Sequence, residues 1–188
     1  IELHRLQDVP LEDIHVVPLG NLSIIDQSDD SEYKEIPNSI LFFGRIYQYK
    51  GLDVLIRTEP LIMEEIKDIQ IIIAGKGEEM DQYRNMMVNP DHFRVKNYRI
   101  PNDEVRKLFM ECSLVVLPYL EATQSGVIPI AYTFGKPVVA SNVGSIPEMM
   151  EHGKTGLLVP PGDAEALSEA IITLLKDDDL RKKMGIYC

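Results

Sequence analysis

The sequence predicts an α/β protein built on a doubly wound, Rossmann-like parallel sheet, and three observations predict it. Short apolar runs rich in β-branched residues suit strands buried on both faces. Between them, apolar residues recur at helical spacing. The joining segments are short and carry glycine, proline or small polar residues. Strand–helix alternation through short loops is the pattern of a parallel sheet covered by crossover helices.

Taken in order, Ile14–Val17 reads as a strand and the Asp/Ser/Glu-rich stretch Ser28–Asn38 as a loop or linker. Ile40–Phe43 is the next strong strand. Leu52, Leu55, Ile56, Ile62 and Ile66 mark a helix that Pro60 is expected to kink or end early, because proline lacks an N–H and clashes with the preceding turn. Ile69–Ala74 is a buried strand, and the more mixed Phe93–Tyr98 a weaker or edge strand. Val105, Leu108, Phe109 and Cys112 form an amphipathic stripe with Asn102 placed as its N-cap. After the strand Leu114–Leu117, a helix is expected from about Ser125, through Ala131 and Phe134, to Gly135 as its stop. Pro129 fits its first turn, which needs no N–H there. Val138–Ala140 and Leu157–Val159 are the last strands. Asp163 opens a helix carrying Leu167, Ala170, Ile171, Leu174 and Leu175. Leu180 and Met184 begin one more helical pattern, which stops at Cys188. With Ile at position 1 as well, the expectation is a domain cut from a longer chain. The sequence contains no internal repeat or low-complexity segment.

At 188 residues, 45% hydrophobic and 26% charged, the chain has a globular composition and enough length for a sizeable core. Nineteen basic against thirty acidic residues give a net charge of −11, which argues against broad attraction to nucleic acid or anionic lipid but leaves room for a local basic site. The longest apolar runs are far too short to span a bilayer. Cys112 and Cys188 make no disulfide framework, and no Cys, His, Asp and Glu cluster at metal-ligand spacing. The expectation is a reduced, cytoplasmic domain without a metal. His4, His15, His92 and His152 are scattered and read as structural.

In an open α/β sheet, chemistry belongs at the loops beyond the carboxyl ends of the strands. The first is Phe43-Gly44-Arg45-Ile46-Tyr47-Gln48-Tyr49-Lys50-Gly51. Arg45 and Lys50 place two cations beside a helix start, an arrangement suited to a phosphate or diphosphate. Surface solvation, or an ion pair with Asp53, accounts for them equally well. The second, Ala74-Gly75-Lys76-Gly77-Glu78-Glu79, begins like a dinucleotide fingerprint and fails as one, since Met80 takes the third glycine position. It reads as a tight turn whose glutamates favour the helix start, with Gly75 and Gly77 open to a backbone approach by a ligand. The third runs from Pro118 to Pro129. Thr123, Gln124, Ser125 and the bare backbone of Gly126 make either an anion nest or a plain N-cap. Gly153-Lys154-Thr155 imitates the end of a P-loop, but Glu148 stands where the earlier glycine belongs and a strand follows, so it reads as a turn.

Together these loops resemble a known family. Phe43-Gly44-Arg45, Lys50-Gly51-Leu52-Asp53-Val54-Leu55-Ile56, Gly75-Lys76-Gly77, Gly135-Lys136-Pro137-Val138-Val139-Ala140-Ser141, Gly144-Ser145-Ile146-Pro147-Glu148 and Gly153-Lys154-Thr155-Gly156-Leu157-Leu158-Val159 follow in order. The pattern is similar to the C-terminal, donor-binding domain of GT-B glycosyltransferases of group 1 (family 4), which include glycogen and sucrose synthases and mannosyltransferases. Val16-Val17-Pro18-Leu19-Gly20 resembles the exit from their interdomain linker. The resemblance implies a linker remnant over residues 1–38, and a nucleotide-sugar-binding domain over residues 39–188 that faces an acceptor-binding N-terminal domain.

By the same resemblance, Arg45 and Lys50 would stabilise the departing nucleoside diphosphate, without a metal or other cofactor. Gly44, Gln124, Ser125, Gly126 and Val127 would meet the donor, while Tyr98, Arg99 and Ile100, with Gly75 and Gly77, would flank the base. The family's two glutamates fall here on Ala122 and Ile130, so the usual ribose clamp is missing. Glu121, one residue off, would substitute only if its loop shifts.

The implied activity is retaining transfer of a sugar from a nucleoside diphosphate to a glycan, lipid or other acceptor, with membrane contact falling to the N-terminal domain at the inner face. Two alternatives stand beside it: a GT-B sugar-nucleotide epimerase fragment, and a degenerate, non-catalytic binding or scaffold domain of the same fold.

Overall fold

The β-branched runs form strands β1 (Ser39–Phe43), β2 (Gln70–Ala74), β3 (Phe93–Lys96), β4 (Leu114–Leu117), β5 (Val138–Ser141) and β6 (Gly156–Val159). All are paired in parallel, in the order β3-β2-β1-β4-β5-β6. This computed structural model describes residues 33–77 and 80–188. The strand expected at Ile14–Val17, the segment Val16–Gly20, residues 28–32 of the stretch Ser28–Asn38, and Glu78 and Glu79 lie outside the described residues. β3 is an edge strand, as its mixed composition predicts.

Between the strands run helices α1 (Leu52–Glu65), α2 (Met80–Met86), α3 (Asn102–Glu111), α4 (Val127–Thr133) and α5 (Ile146–Met149), and α6 (Ala164–Lys176) and α7 (Asp178–Tyr187) close the chain. Alternate strand residues point to opposite faces, and each face has its own core. Ile40, Phe42, Ile71, Ile73, Val116 and Val139 pack with α1, α2, α6 and α7. Leu41, Ile72, Val115, Leu117, Val138 and Ala140 pack with α3, α4 and α5. The sheet is therefore covered on both sides, the doubly wound arrangement predicted.

Two helix boundaries depart from expectation. α1 does not end at Pro60 but continues to Glu65. One missing N–H and a ring clash cost about 3 kcal/mol, whereas burying Leu52, Leu55, Ile56 and Ile62, each at most 1% exposed, returns roughly 1.5–3 kcal/mol per side chain. Tertiary packing outweighs the local break. In α3 the N-cap is Pro101, in extended conformation, and Asn102 is the first helical residue, its side chain making no capping bond. Asp163 does cap α6, its carboxylate accepting the Ala166 N–H at 2.9 Å. Asp177 caps α7 in the same way through Leu180. Gly153-Lys154-Thr155 is a turn leading into β6.

The last residues of the predicted polar linker are bound to the domain. Ile36 donates its N–H to the Glu111 carbonyl at 2.8 Å, and Asn38 donates to the Asp68 carboxylate at 2.8 Å.

Candidate functional site

Strand order reverses between β1 and β4, so the loops after them turn to opposite faces of the sheet and leave a crevice at their carboxyl ends. The Arg45–Lys50 loop follows β1, and the loop from Pro118 to Gly126 follows β4. They are held very close. Gly51, with φ of +66°, is the N-cap of α1, and a Cβ there would come within 1.9 Å of the Pro118 carbonyl oxygen. Only glycine meets both the left-handed backbone and that approach. The Leu120 N–H donates to the Tyr49 carbonyl at 2.8 Å, fastening one loop to the other.

The two predicted cations occupy different environments. Arg45 is exposed, and its guanidinium donates to the Tyr47 hydroxyl at 3.3 Å. That hydroxyl, and the charge interaction with it, push the Arg45 pKa above its ordinary value. Lys50 is half-buried, and its Nζ lies 3.7 Å from the Tyr119 ring centroid and 5.3 Å from that of Tyr49. No described carboxylate comes within ion-pair distance of either cation. Asp53, the partner the simpler reading required, pairs with Arg57 at 3.4 Å. Burial without a counter-charge pulls the Lys50 pKa down to about 8.

In the second loop, Glu121, Thr123, Gln124 and Gly126 are exposed, while Ser125 is 2% exposed. The Ser125 hydroxyl faces inward, 3.3 Å from the Tyr119 hydroxyl, and accepts the Val127 N–H at 3.3 Å. The Ser125 N–H donates to the Met149 thioether at 3.4 Å. Ser125 thus shapes the loop from within. Gly126, ahead of α4, has open space within 4 Å of where a Cβ would stand. At the positions of the missing glutamates, Ile130 packs against the α3–α5 core, and the Ala122 carbonyl lies against Gly144.

A cleft of about 770 Å³ opens over the carboxyl ends of β1, β2 and β3. Its walls are Phe43–Gln48, Ala74–Gly77 with Tyr83, and Tyr98–Ile100, so Gly44, Arg45, Gly75, Gly77, Tyr98, Arg99 and Ile100 converge there. Arg45, Lys76 and Arg99 line it and, among the described residues, no carboxylate does. These three cations gather at one cleft in a chain of net charge −11.

The cleft floor is backbone continuing the sheet ladder: Gly44 N–H to the Ala74 carbonyl, Ile46 N–H to Lys76 and Gly75 N–H to Lys96. The Asn97 side chain accepts the Gly77 N–H at 2.8 Å. Lys50, Glu121 and Gln124–Val127 lie outside this wall. Gly44 links the two regions, since a Cβ there would stand 3.8 Å from Val127.

Sequence reasoning did not single out Tyr47, Tyr83, Lys76 or Tyr119 as site residues. The tyrosines of the first loop gave a signal, an aromatic-rich run beside two cations. Tyr119 gave none, because an aromatic following a buried strand reads as core.

Among the described residues, a six-stranded parallel sheet in this order, with helices on both faces, defines a Rossmann-like domain. Residues 37–177 match the family described as glycosyl transferases group 1, and the chain belongs to that family. Over 154 residues it is 30% identical to a phosphatidyl-myo-inositol mannosyltransferase of Mycobacterium leprae, covering 80% of this chain and 41% of that protein. It is 32% identical over 154 residues to a D-inositol 3-phosphate glycosyltransferase of Corynebacterium aurimucosum, covering 78% and 37%. The chain therefore spans well under half the length of these relatives. Among solved structures, HepE of Anabaena in complex with UDP-glucose aligns with TM-score 0.70 and 25% identity over 79% of this chain and 42% of that one. A glycosyltransferase of Rickettsia africae shares the fold with TM-score 0.81 and 19% identity, over 98% of this chain and 54% of that one.

Proposed function

We propose that residues 39–188 form the donor-binding half of a retaining glycosyltransferase, taking a nucleoside diphosphate sugar and serving an acceptor held by a further, N-terminal domain. The observation that carries this reading is the pair of cations, Arg45 and Lys50, with no described carboxylate in ion-pair range, at the switch point beside a cleft that no carboxylate lines among the described residues. Membership of the group 1 family and likeness to a UDP-glucose complex support it. In the proposed reaction, cleavage of the anomeric bond leaves negative charge on the diphosphate. Arg45 and Lys50 stabilise that charge from fixed positions, a role that requires no metal. The base enters the cleft near Tyr98–Ile100, and Gly126 offers its N–H to the donor.

The test is a thermal shift of the protein with UDP, GDP, ADP and their sugar conjugates, followed by calorimetry. One nucleotide is expected to raise the melting temperature selectively, and Arg45→Ala to weaken its binding about tenfold or more, as charged hydrogen bonds do. Unchanged affinity in Arg45→Ala would remove that residue from the site. A second reading, a non-catalytic binding domain, is favoured by one observation: Ile130 packs against the α3–α5 core at the position where the family resemblance implies a ribose-binding glutamate. Silence toward every nucleotide and sugar nucleotide, in this chain and in the full-length protein, would select it.

A further inference from the structure

The Lys50 ammonium is seated by an aromatic ring where an acid would ordinarily be. Tyr119, 1% exposed, leaves β4 through Pro118 and places its ring centroid 3.7 Å from the Lys50 Nζ. On its far side, its hydroxyl is 3.3 Å from the Ser125 Oγ, which in turn accepts the Val127 N–H. One side chain thereby touches both loops of the switch point. We infer that Tyr119 is a positioning residue: its ring holds Lys50 ready for a diphosphate. The inference rests on the reading that Lys50 meets a diphosphate.

The physical argument is one of pre-organisation without neutralisation. A lysine free in solvent loses most of its rotamer freedom when it grips an anion, and that loss subtracts from affinity. A partner already holding the ammonium removes part of the loss. A carboxylate partner would do this too, but it would cancel the charge the ligand needs. The face of a tyrosine ring attracts the cation through its quadrupole and carries no net charge. It engages one side of the ammonium and leaves N–H donors directed elsewhere. Lys50 has a second ring, that of Tyr49, at 5.3 Å, and no described carboxylate in ion-pair range.

The geometry is open to a direct reading by NMR on protein labelled with [13C]lysine. The Lys50 Hε–Cε signal, assigned by its loss in Lys50→Ala, should be shifted upfield by the ring current. The shift should persist in Tyr119→Phe and drop to the smaller contribution of the more distant Tyr49 ring in Tyr119→Leu or, if that variant folds poorly, Tyr119→Met. Calorimetry with inorganic pyrophosphate reads the consequence independently of any base. Tyr119→Leu should lose about tenfold in affinity, comparable to Lys50→Ala, and Tyr119→Phe should recover most of it. Because Tyr119 acts through Lys50, the double variant Lys50→Ala/Tyr119→Leu should be no weaker than Lys50→Ala alone. A residue that merely fills the core would instead give additive losses. An unshifted Lys50 signal, additive losses, or wild-type affinity in Tyr119→Leu overturns the inference while leaving the diphosphate reading standing. A wild-type protein that ignores pyrophosphate, with the Lys50 signal still shifted, overturns the diphosphate reading and the positioning role with it.

Discussion

Arg45 and Lys50 are both cations of one loop, yet their environments assign them different behaviour. Arg45 is solvated and stays charged at any working pH. Lys50 has lost water without gaining a counter-ion, and its pKa of about 8 brings its charge into reach of ordinary buffers. The sign follows from the chemistry. Below pH 8 the ammonium is protonated and attracts a diphosphate; above it the amine is neutral and the attraction is lost. The affinity advantage of wild type over Lys50→Met for pyrophosphate should therefore fall as pH rises from 7 to 9.5, with its inflection near the free-protein value, the ratio cancelling the ligand's own ionisation in that range. Calorimetry on both proteins checks this, and a ratio that does not change with pH would assign the titration to another group. The sequence disclosed both cations and their proximity to a helix start. It did not disclose that one is exposed and the other half-buried on a tyrosine ring, because burial is set by Pro118 and Tyr119, which are nearly seventy residues away.

At the scale of elements, the legible parts are those that local chemistry decides. β1, β2, β4, β5 and β6 begin and end within about a residue of the apolar runs that predict them, since strands buried on both faces admit few polar residues. The illegible parts are those where packing overrules a local rule, as at Pro60 inside α1 and at Asn102, displaced from the cap of α3.

The turns behind β1 and β2 show the same division. Gly75 has φ of +149°, and a Cβ on it would come within 1.8 Å of the Gly44 carbonyl oxygen, a contact between loops that no local pattern announces. Gly75→Ala is accordingly expected to destabilise the protein by roughly 2–4 kcal/mol in urea denaturation, combining backbone strain with overpacking. Gly126→Ala is the contrasting substitution. Its backbone is right-handed, with φ of −69°, and its surroundings are open. Stability should change by no more than about 0.5 kcal/mol, while affinity for the selected sugar nucleotide should fall several-fold as the methyl group enters the ligand's space. Equal binding by Gly126→Ala would take Gly126 out of the donor site.

Across the whole molecule, the segment before β1, the α4–β5 turn and α7 are joined by one carboxylate. Glu35 accepts from Lys136 at 2.9 Å and from Arg181 at 2.8 Å, linking segments separated by 101 and 146 residues. Both cations are only 8% exposed, and Arg181 also donates to the Leu174 carbonyl at 3.3 Å. Burial alone would raise the Glu35 pKa, but hydrogen bonds and charge interactions with Lys136 and Arg181 outweigh it and lower the value. A carboxylate with a lowered folded-state pKa contributes stability above its unfolded value, and that contribution disappears as pH falls through the folded value. Glu35→Gln should therefore reduce unfolding free energy at pH 7 by about 1–2 kcal/mol. This is less than a fully buried pair would lose, because solvent reaches one side of Glu35. The gap between wild type and variant should narrow progressively once pH drops below about 4.5, where the unfolded glutamate protonates. Urea denaturation at pH 7 and at stepped acid pH measures both parts. A gap independent of pH would mean that Glu35 contributes packing alone, and that α7 is held to the domain by its apolar face through Met184.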